Sequence, residues 1–96
     1  MSRSNDKTIK EAINDLLDSY RLRKKFDETS LIAAWPELMG TAIANRTKQL
    51  YINDKKLFLR VESSVIKNEL LMMQTQIIKR LNEKAGHEVI ISIVFL

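Results

Sequence analysis

Cysteine is absent from the 96 residues of this chain, and histidine occurs once. Without cysteine there is no disulfide, no thiolate metal ligand and no thiol nucleophile. The one histidine, His87, has no second imidazole with which to form a metal site or a proton relay, so we interpret it as a capping or solvated residue. These absences make an enzyme the least favoured class of function, and we expect no cofactor.

Glycine is also scarce, since the chain has only Gly40 and Gly86. A loop that cradles phosphates through several glycines is therefore excluded. No apolar run approaches the roughly 20 residues that span a bilayer, and residues 1–6 lack the apolar segment of a signal peptide. We expect a cytoplasmic protein that makes no membrane contact, with one domain over residues 1–96 in which residues 1–6 are disordered.

Positive charge is in excess, because 16 lysines and arginines oppose 12 aspartates and glutamates for a net charge of +4. Such a balance favours nucleic acid or another acidic partner, although for any single cluster a solvated surface is the favoured explanation. We expect the clustered cations to lie in loops or at strand ends, and the sequence leaves open whether they converge on one edge. The candidate phosphate contacts are Arg21, Arg23, Lys24, Lys25, Lys48, Lys55 and Lys56.

Two helical segments are predicted in the N-terminal half. Apolar residues from Ile9 to Tyr20 recur at spacings of 4, 3, 1 and 3, which indicates one amphipathic helix over about residues 7–20. Residues 27–30 (DETS) are typical of a helix start, so a second segment begins there. Pro36 lacks the N–H of a helix interior, and we expect it to divide this segment before a short piece over residues 37–44.

A β-hairpin follows, with strands over residues 48–52 and 57–62 around the turn NDKK. With Asp54 and Lys55 as the two loop residues, Ile52 pairs with Leu57 and Tyr51 with Phe58. Alternation then divides the side chains between two faces. Leu50, Ile52, Leu57, Leu59 and Val61 lie toward the core, and Tyr51, Phe58, Arg60 and Glu62 lie on the other face.

A capped helix and a final strand complete the chain. Helical spacing runs from Val65 to Leu81, with Ser63 as N-cap and Gly86 as the closing residue. Residues 89–95 are apolar on both sides. This strand is therefore either central in the sheet with the first helix behind it, or it meets a partner through Ile90, Val94 and Leu96.

The element order α-α-β-β-α-β predicts an α+β fold in which helices pack on a three-stranded sheet. Two roles are open for the sheet face with Tyr51, Phe58 and Arg60. The first helix needs an apolar partner, and this favours an arrangement in which it covers the two rings. If the rings are exposed, they can stack unpaired bases beside a cation.

Four motifs resemble those of the DciA-like family, formerly a bacterial domain of unknown function. They are WPELMG at 35–40, LFLRVESS at 57–64, NEL at 68–70 and LNEKAG at 81–86, and the likeness covers about residues 30–95. The resemblance implies a KH-like fold and a role in loading or operating the replicative DNA helicase, with affinity for DNA.

We therefore expect a non-enzymatic accessory protein that contacts DNA and the replicative helicase. Two alternatives are an RNA- or ribosome-associated KH-like protein, and a protein-interaction module that forms a homodimer through the outer side of the last strand. The same basic residues would serve the RNA alternative.

Overall fold

Four helices and three strands follow one another in the computed structural model, which describes residues 8–96. The predicted disorder of residues 1–6 lies outside the described residues. The predicted α+β class, with helices before the hairpin and a helical crossover after it, is confirmed. The elements are α1 Ile9–Met39, α2 Thr41–Arg46, β1 Thr47–Asn53, β2 Lys56–Val61, α3 Ser64–Met72, α4 Gln74–Ala85 and β3 Ser92–Phe95.

The sheet has the order β1-β2-β3, with an antiparallel hairpin and a parallel pair. Asp54 and Lys55 both have positive φ, 52° and 62°, as a two-residue type I′ turn requires. The predicted register is confirmed, because Ile52 pairs with Leu57 and Tyr51 with Phe58. The turn residues therefore decide which side chains reach each face of the sheet.

The crossover between β2 and β3 contains two helices where one long helix is predicted. Ser63 Oγ accepts a hydrogen bond from Ile66 N at 3.3 Å, and Gly86 closes α4 in the left-handed conformation, so both predicted caps are confirmed. At Met73 the backbone leaves the helical path with φ −106° and ψ 12°. Its N–H bonds to Leu70 O, three residues back, and this tighter turn separates α3 from α4.

The core lies between one face of the sheet and the helices. Leu57 and Leu59 of β2 are each 1% exposed, which confirms the predicted inner face. Against them pack Leu31 and Trp35 of α1 and the buried side chains of α3 and α4, which are Leu70, Ile77 and Leu81. Trp35 Nε1 donates to Thr47 Oγ1 at 3.1 Å, so the indole is a core anchor with its polar atom satisfied.

Helix α1 is continuous over 31 residues, so the predicted interruption between residues 20 and 27 is wrong. Neither glycine nor proline occurs between Thr8 and Pro36, and the basic run consists of residues with good helix propensity. Asp27, expected to cap a new helix, instead places its carboxylate 2.7 Å from His87 Nε2. Residues 9–39 therefore form one helix, and Thr8 is its N-cap.

Pro36 does not break the helix, because it lies only three residues before the end of α1 and removes a single backbone hydrogen bond. The real break is Gly40, whose φ of 92° and ψ of 158° suit glycine alone. Its N–H bonds to Pro36 O at 2.8 Å, and α2 starts at the next residue. The positive φ of Gly40 therefore ends α1.

The N-terminal half of α1 extends beyond the body of the fold, and the prediction that it covers the outer sheet face is wrong. Its apolar residues are exposed, and the chain measures 65 × 21 × 21 Å. The radius of gyration is 17.9 Å, whereas a compact domain of this length would have about 12–13 Å. The exposed apolar side chains of this half are Ile9, Ile13, Leu16, Leu17, Tyr20 and Leu22, and Phe26 just beyond the midpoint of α1 is exposed as well.

The last strand is shorter than predicted and lies at an edge, while β2 is central. Its alternation fails before Ser92, since Val89 and Ile90 are both buried and Ile91 is exposed. Asn82 explains the difference. Its side-chain oxygen accepts hydrogen bonds from Val89 N and Ile90 N at 2.8 and 2.9 Å, and its amide donates to Ile90 O. The partner face predicted to include Ile90 is therefore wrong at that residue.

Candidate nucleic-acid interface

The outer face of the sheet carries aromatic and basic side chains together. Lys56, Phe58 and Arg60 alternate along β2 with the buried leucines, and Tyr51 stands opposite Phe58 on β1. The two rings stack with centroids 4.8 Å apart and planes within 6°. Tyr51 is 44% exposed, so the stack is accessible to solvent at Tyr51. We call these four residues the sheet face.

Arg60 is held at one end of the sheet face by a neighbour on β1. Its Nε donates to Gln49 Oε1 at 2.8 Å, across the pair that the register sets opposite. The remaining guanidinium N–H groups stay available for a phosphate or carbonyl oxygen. With Lys56 at the other end of the same strand, the sheet face has a cation on each side of an aromatic stack. Such an arrangement can bind a single strand by stacking and phosphate contact.

Two of the predicted basic residues are engaged elsewhere. Lys48 Nζ lies 3.1 Å from Glu62 Oε1, and Lys55 Nζ lies 3.6 Å from Glu88 Oε1. Both pairs are solvent-exposed, so they add little to stability. They do offset the charge of these two lysines. Lys56 forms no ion pair within residues 8–96, which makes it the free cation of the hairpin tip.

The other predicted cations, Arg21, Arg23, Lys24 and Lys25, lie on α1 and not in a loop. Their predicted place in a loop is therefore wrong, and the seven candidate cations do not all converge on one edge, because these four residues and the sheet face belong to different surfaces. The structure does bring Arg23 and Lys24 to Lys55 across a cleft of about 320 Å³, where α1 leaves the body. Arg21 is paired with Asp18 at 3.5 Å.

His87 lines the same cleft, where its ring nitrogen meets the largely buried carboxylate of Asp27 at 2.7 Å. It is therefore neither a cap nor simply solvated, and it fastens the turn after α4 to α1. The two residues are 60 positions apart, and no sequence pattern connects them. Residues 8–96 contain no group of three or more His, Cys, Asp or Glu side chains suited to a metal ion.

Gln49 is the one residue of the interface that sequence analysis left without a role. The sequence did indicate a role for Gln49, because the predicted register already sets this residue opposite Arg60. When an amide and a guanidinium stand opposite each other in an antiparallel pair, the two side chains can form a cross-strand hydrogen bond.

Fold and surface together define a small α+β domain with a basic, aromatic sheet face and a projecting amphipathic helix. The profile of the family described as Dna[CI] antecedent, DciA, matches residues 8–95. The chain therefore belongs to the DciA family.

A curated relative is the UPF0232 protein of Corynebacterium glutamicum (strain R), to which this chain is 43% identical over 56 residues. The match covers 58% of this chain and 32% of the relative, so it spans about a third of the relative's length. No helix within residues 8–96 has the length and apolar character to cross a membrane.

Proposed function

We propose that this chain is a non-enzymatic accessory protein of DNA replication that binds single-stranded DNA through the sheet face and assists the loading or operation of the replicative helicase. The observation that carries the DNA part is the Tyr51–Phe58 stack with Lys56 and Arg60 on either side of it along β2. Family membership supports the helicase part.

The chemistry of the sheet face favours an unpaired strand over a duplex. A flat aromatic surface needs an exposed base plane, which duplex DNA offers only at its ends, and each base stacked on an aromatic side chain contributes about 1–3 kcal/mol. Lys56 and Arg60 supply phosphate contacts that do not depend on sequence. Lys48 and Lys55 contribute less, because Glu62 and Glu88 already neutralise them.

Fluorescence anisotropy with a labelled thymidine oligomer tests the DNA part. Tyr51→Ala should weaken binding roughly fivefold or more, since it removes the exposed ring of the stack. Lys56→Gln should lower the slope of log affinity against log salt by about 0.7, the value for one phosphate contact on a single strand. Lys79→Gln, an exposed lysine on α4, is the matched control and should leave both quantities unchanged.

A charge reversal ranks the two lysines of the hairpin tip. Lys56→Glu should weaken DNA binding more than Lys55→Glu, because Lys56 lies on the sheet face and has no acidic partner within residues 8–96, whereas Lys55 lies outside it and its charge is already offset by Glu88. Equal effects of Lys56→Gln and Lys79→Gln would remove the sheet face from the site. Tighter binding to a ribo-oligomer of matched length than to the thymidine oligomer would favour the RNA alternative.

A further inference from the structure

The projecting half of α1 carries an exposed apolar stripe, which consists of Ile9, Ile13, Leu16, Leu17 and Tyr20. The stripe covers 12 residues, or about 18 Å of helix, and isolated helices of that length are marginal in water. In most proteins an amphipathic helix owes its stability to the surface on which its apolar face packs. Within residues 8–96 the stripe has no such surface, because its side chains are between 44% and 80% exposed.

The cleft that follows the stripe does not select a partner by charge. Its basic side chains are Arg23, Lys24, Lys55 and His87, and its carboxylates are those of Asp27, Glu28, Asp54 and Glu88. Lys55 is already paired with Glu88, and His87 with Asp27. Because both signs line the cleft, it favours neither an acidic nor a basic ligand. The choice of occupant therefore depends on the stripe itself.

The spacing of the stripe is the same in both directions along the helix. Ile9, Ile13, Leu16 and Tyr20 follow one another at intervals of 4, 3 and 4, which is the alternation of a and d positions in a coiled coil. When two copies run antiparallel, Ile9 of each faces Tyr20 of the other, and Ile13 faces Leu16. A surface that is complementary to its own copy is what a two-fold symmetric interface requires.

The residues that border these four also permit a second helix to approach. Ala12 and Ser19 lie along one border, and in the antiparallel pair these small side chains face each other from opposite copies. Lys10 and Leu17 do the same along the other border, where the methylene groups of the lysine can pack on the leucine. Neither border therefore obstructs the contact.

The charges of the paired segment are compatible with the same arrangement. The acidic residues Glu11, Asp15 and Asp18 follow the side of α1 away from the stripe, at spacings of 4 and 3. No carboxylate of one copy therefore faces a carboxylate of the other across the stripe. Lys10 is the one lysine between residues 9 and 20, and the Lys10 side chains of two copies lie toward opposite ends of the pair.

Other occupants fit the segment less well. Residues 1–7 (MSRSNDK) contain one apolar side chain, that of Met1, and cannot cover five. Nucleic acid would leave the stripe in water. Helices that lie on anionic lipid carry lysine and arginine on their polar side, whereas this segment carries Glu11, Asp15 and Asp18 there. A second copy satisfies the apolar side chains and brings no opposing charge.

The area of the contact is sufficient for a weak dimer. Judged by their exposed fractions, the five side chains leave on the order of 600 Å² accessible in one copy, so two copies can bury about 1,200 Å² between them. This is the lower limit for specific complexes and indicates a dissociation constant of about 10 μM or weaker. In a denaturation measurement at low micromolar concentration, the chain is therefore a monomer.

We propose that the stripe is the contact surface of an antiparallel homodimer, in which residues 9–20 of two copies pair and the two packed bodies lie at opposite ends of the helix pair. This interface lies on α1, away from the sheet face and from the last strand. It does not depend on the proposed function.

Two leucines provide a matched pair for the test. Leu16 and Leu22 are 70% and 71% exposed on the same helix, but only Leu16 belongs to the stripe. Sedimentation velocity of the full chain from about 1 to 300 μM should show a monomer that converts to a dimer as concentration rises. Leu16→Gln acts in both copies and should raise the dissociation constant about tenfold or more, whereas Leu22→Gln should stay within about twofold. Circular dichroism establishes that both variants keep the helix content of the unchanged chain.

The direction of pairing can be measured without background, because the chain has no cysteine. Ala12→Cys and Ser19→Cys each add one thiol on the border of small residues. Treated as a mixture with a short bismaleimide, the two variants should give a cross-link between positions 12 and 19, identified by mass spectrometry. Ser19→Cys alone should give no cross-linked dimer, because its two thiols are about 13 Å apart along the helix axis in the antiparallel pair.

Each contrary result has its own signature. A chain that stays monomeric over the whole concentration range would overturn the dimer. Equal effects of Leu16→Gln and Leu22→Gln would remove the stripe from the interface, and a dimer weakened by Val94→Thr instead would assign it to the last strand. Efficient cross-linking of Ser19→Cys alone would show a parallel pair and overturn the proposed arrangement.

Discussion

The two halves of α1 carry the same apolar periodicity, but only the C-terminal half buries its apolar side chains. In the C-terminal half, Leu31 and Trp35 are 2% and 3% exposed against the sheet, whereas in the N-terminal half Leu16 is 70% exposed. The contrast shows that helical periodicity identifies an apolar face but not the surface that will cover it. One half is packed by its own chain, and the other half is available to another molecule.

The largest expected difference between the two halves is in the free energy of unfolding, when a leucine in each half is replaced by alanine. Leu31→Ala should lower the free energy of unfolding by about 2–5 kcal/mol, because it leaves a cavity in the core. Leu16→Ala, the same change 15 residues earlier on the same face, should stay within about 0.5 kcal/mol. Urea denaturation followed by circular dichroism gives both values. A loss at Leu16 equal to that at Leu31 would mean that the stripe packs on its own body in solution.

Sequence reasoning succeeded where local chemistry decides the outcome. The hairpin register follows from Asp54 and Lys55, which adopt the positive φ of the turn, and the alternation on β2 then assigns both faces of the sheet. Ser63 and Gly86 act as the predicted caps because each acts on residues next to it in the chain. The α+β class and the pairing within the hairpin were therefore predictable.

Sequence reasoning failed where a contact joins two segments that are far apart in the chain. Asp27 looks like a helix cap in the sequence, but His87, 60 residues away, takes its carboxylate. Asn82 gives no signal of its role, which exists only because the chain turns back over α4 at Val89 and Ile90. The candidate site shows the same division. The register already groups Tyr51, Phe58 and Arg60, whereas the separation of Arg21, Arg23, Lys24 and Lys25 from them depends on the unbroken length of α1.

A second, smaller effect should come from Asn82, the polar residue that fixes the approach to β3 within the packed body. Asn82→Ala removes three hydrogen bonds and leaves the N–H groups of Val89 and Ile90 without their acceptor. The expected loss is about 2–4 kcal/mol in the free energy of unfolding, since each buried orphan group costs about 1–3 kcal/mol.

The control for this change is Asn68→Ala on α3, an exposed asparagine whose side chain forms no hydrogen bond within residues 8–96. It should stay within about 0.5 kcal/mol of the unchanged chain. Matching values for Asn82→Ala and Asn68→Ala in urea denaturation would show that residues 89–91 do not depend on the Asn82 amide.

The smallest expected effect is a local loss of helix stability at the N-terminal end of α1, without a change in the stability of the packed body. Thr8 Oγ1 accepts from Glu11 N at 3.1 Å, and Glu11 Oε1 receives the Thr8 N–H at 3.3 Å, which together form a capping box. Thr8→Ala should cost about 1 kcal/mol of local helix stability, seen as faster amide exchange in the first turns of α1. Thr8→Ser keeps the hydroxyl and should exchange like the unchanged chain. Because the first turns contribute no side chain to the core, the urea midpoint should not move with either variant. A lowered midpoint in Thr8→Ala would show that the two halves of α1 unfold as one unit, and the stripe would then be coupled to the body that it extends beyond.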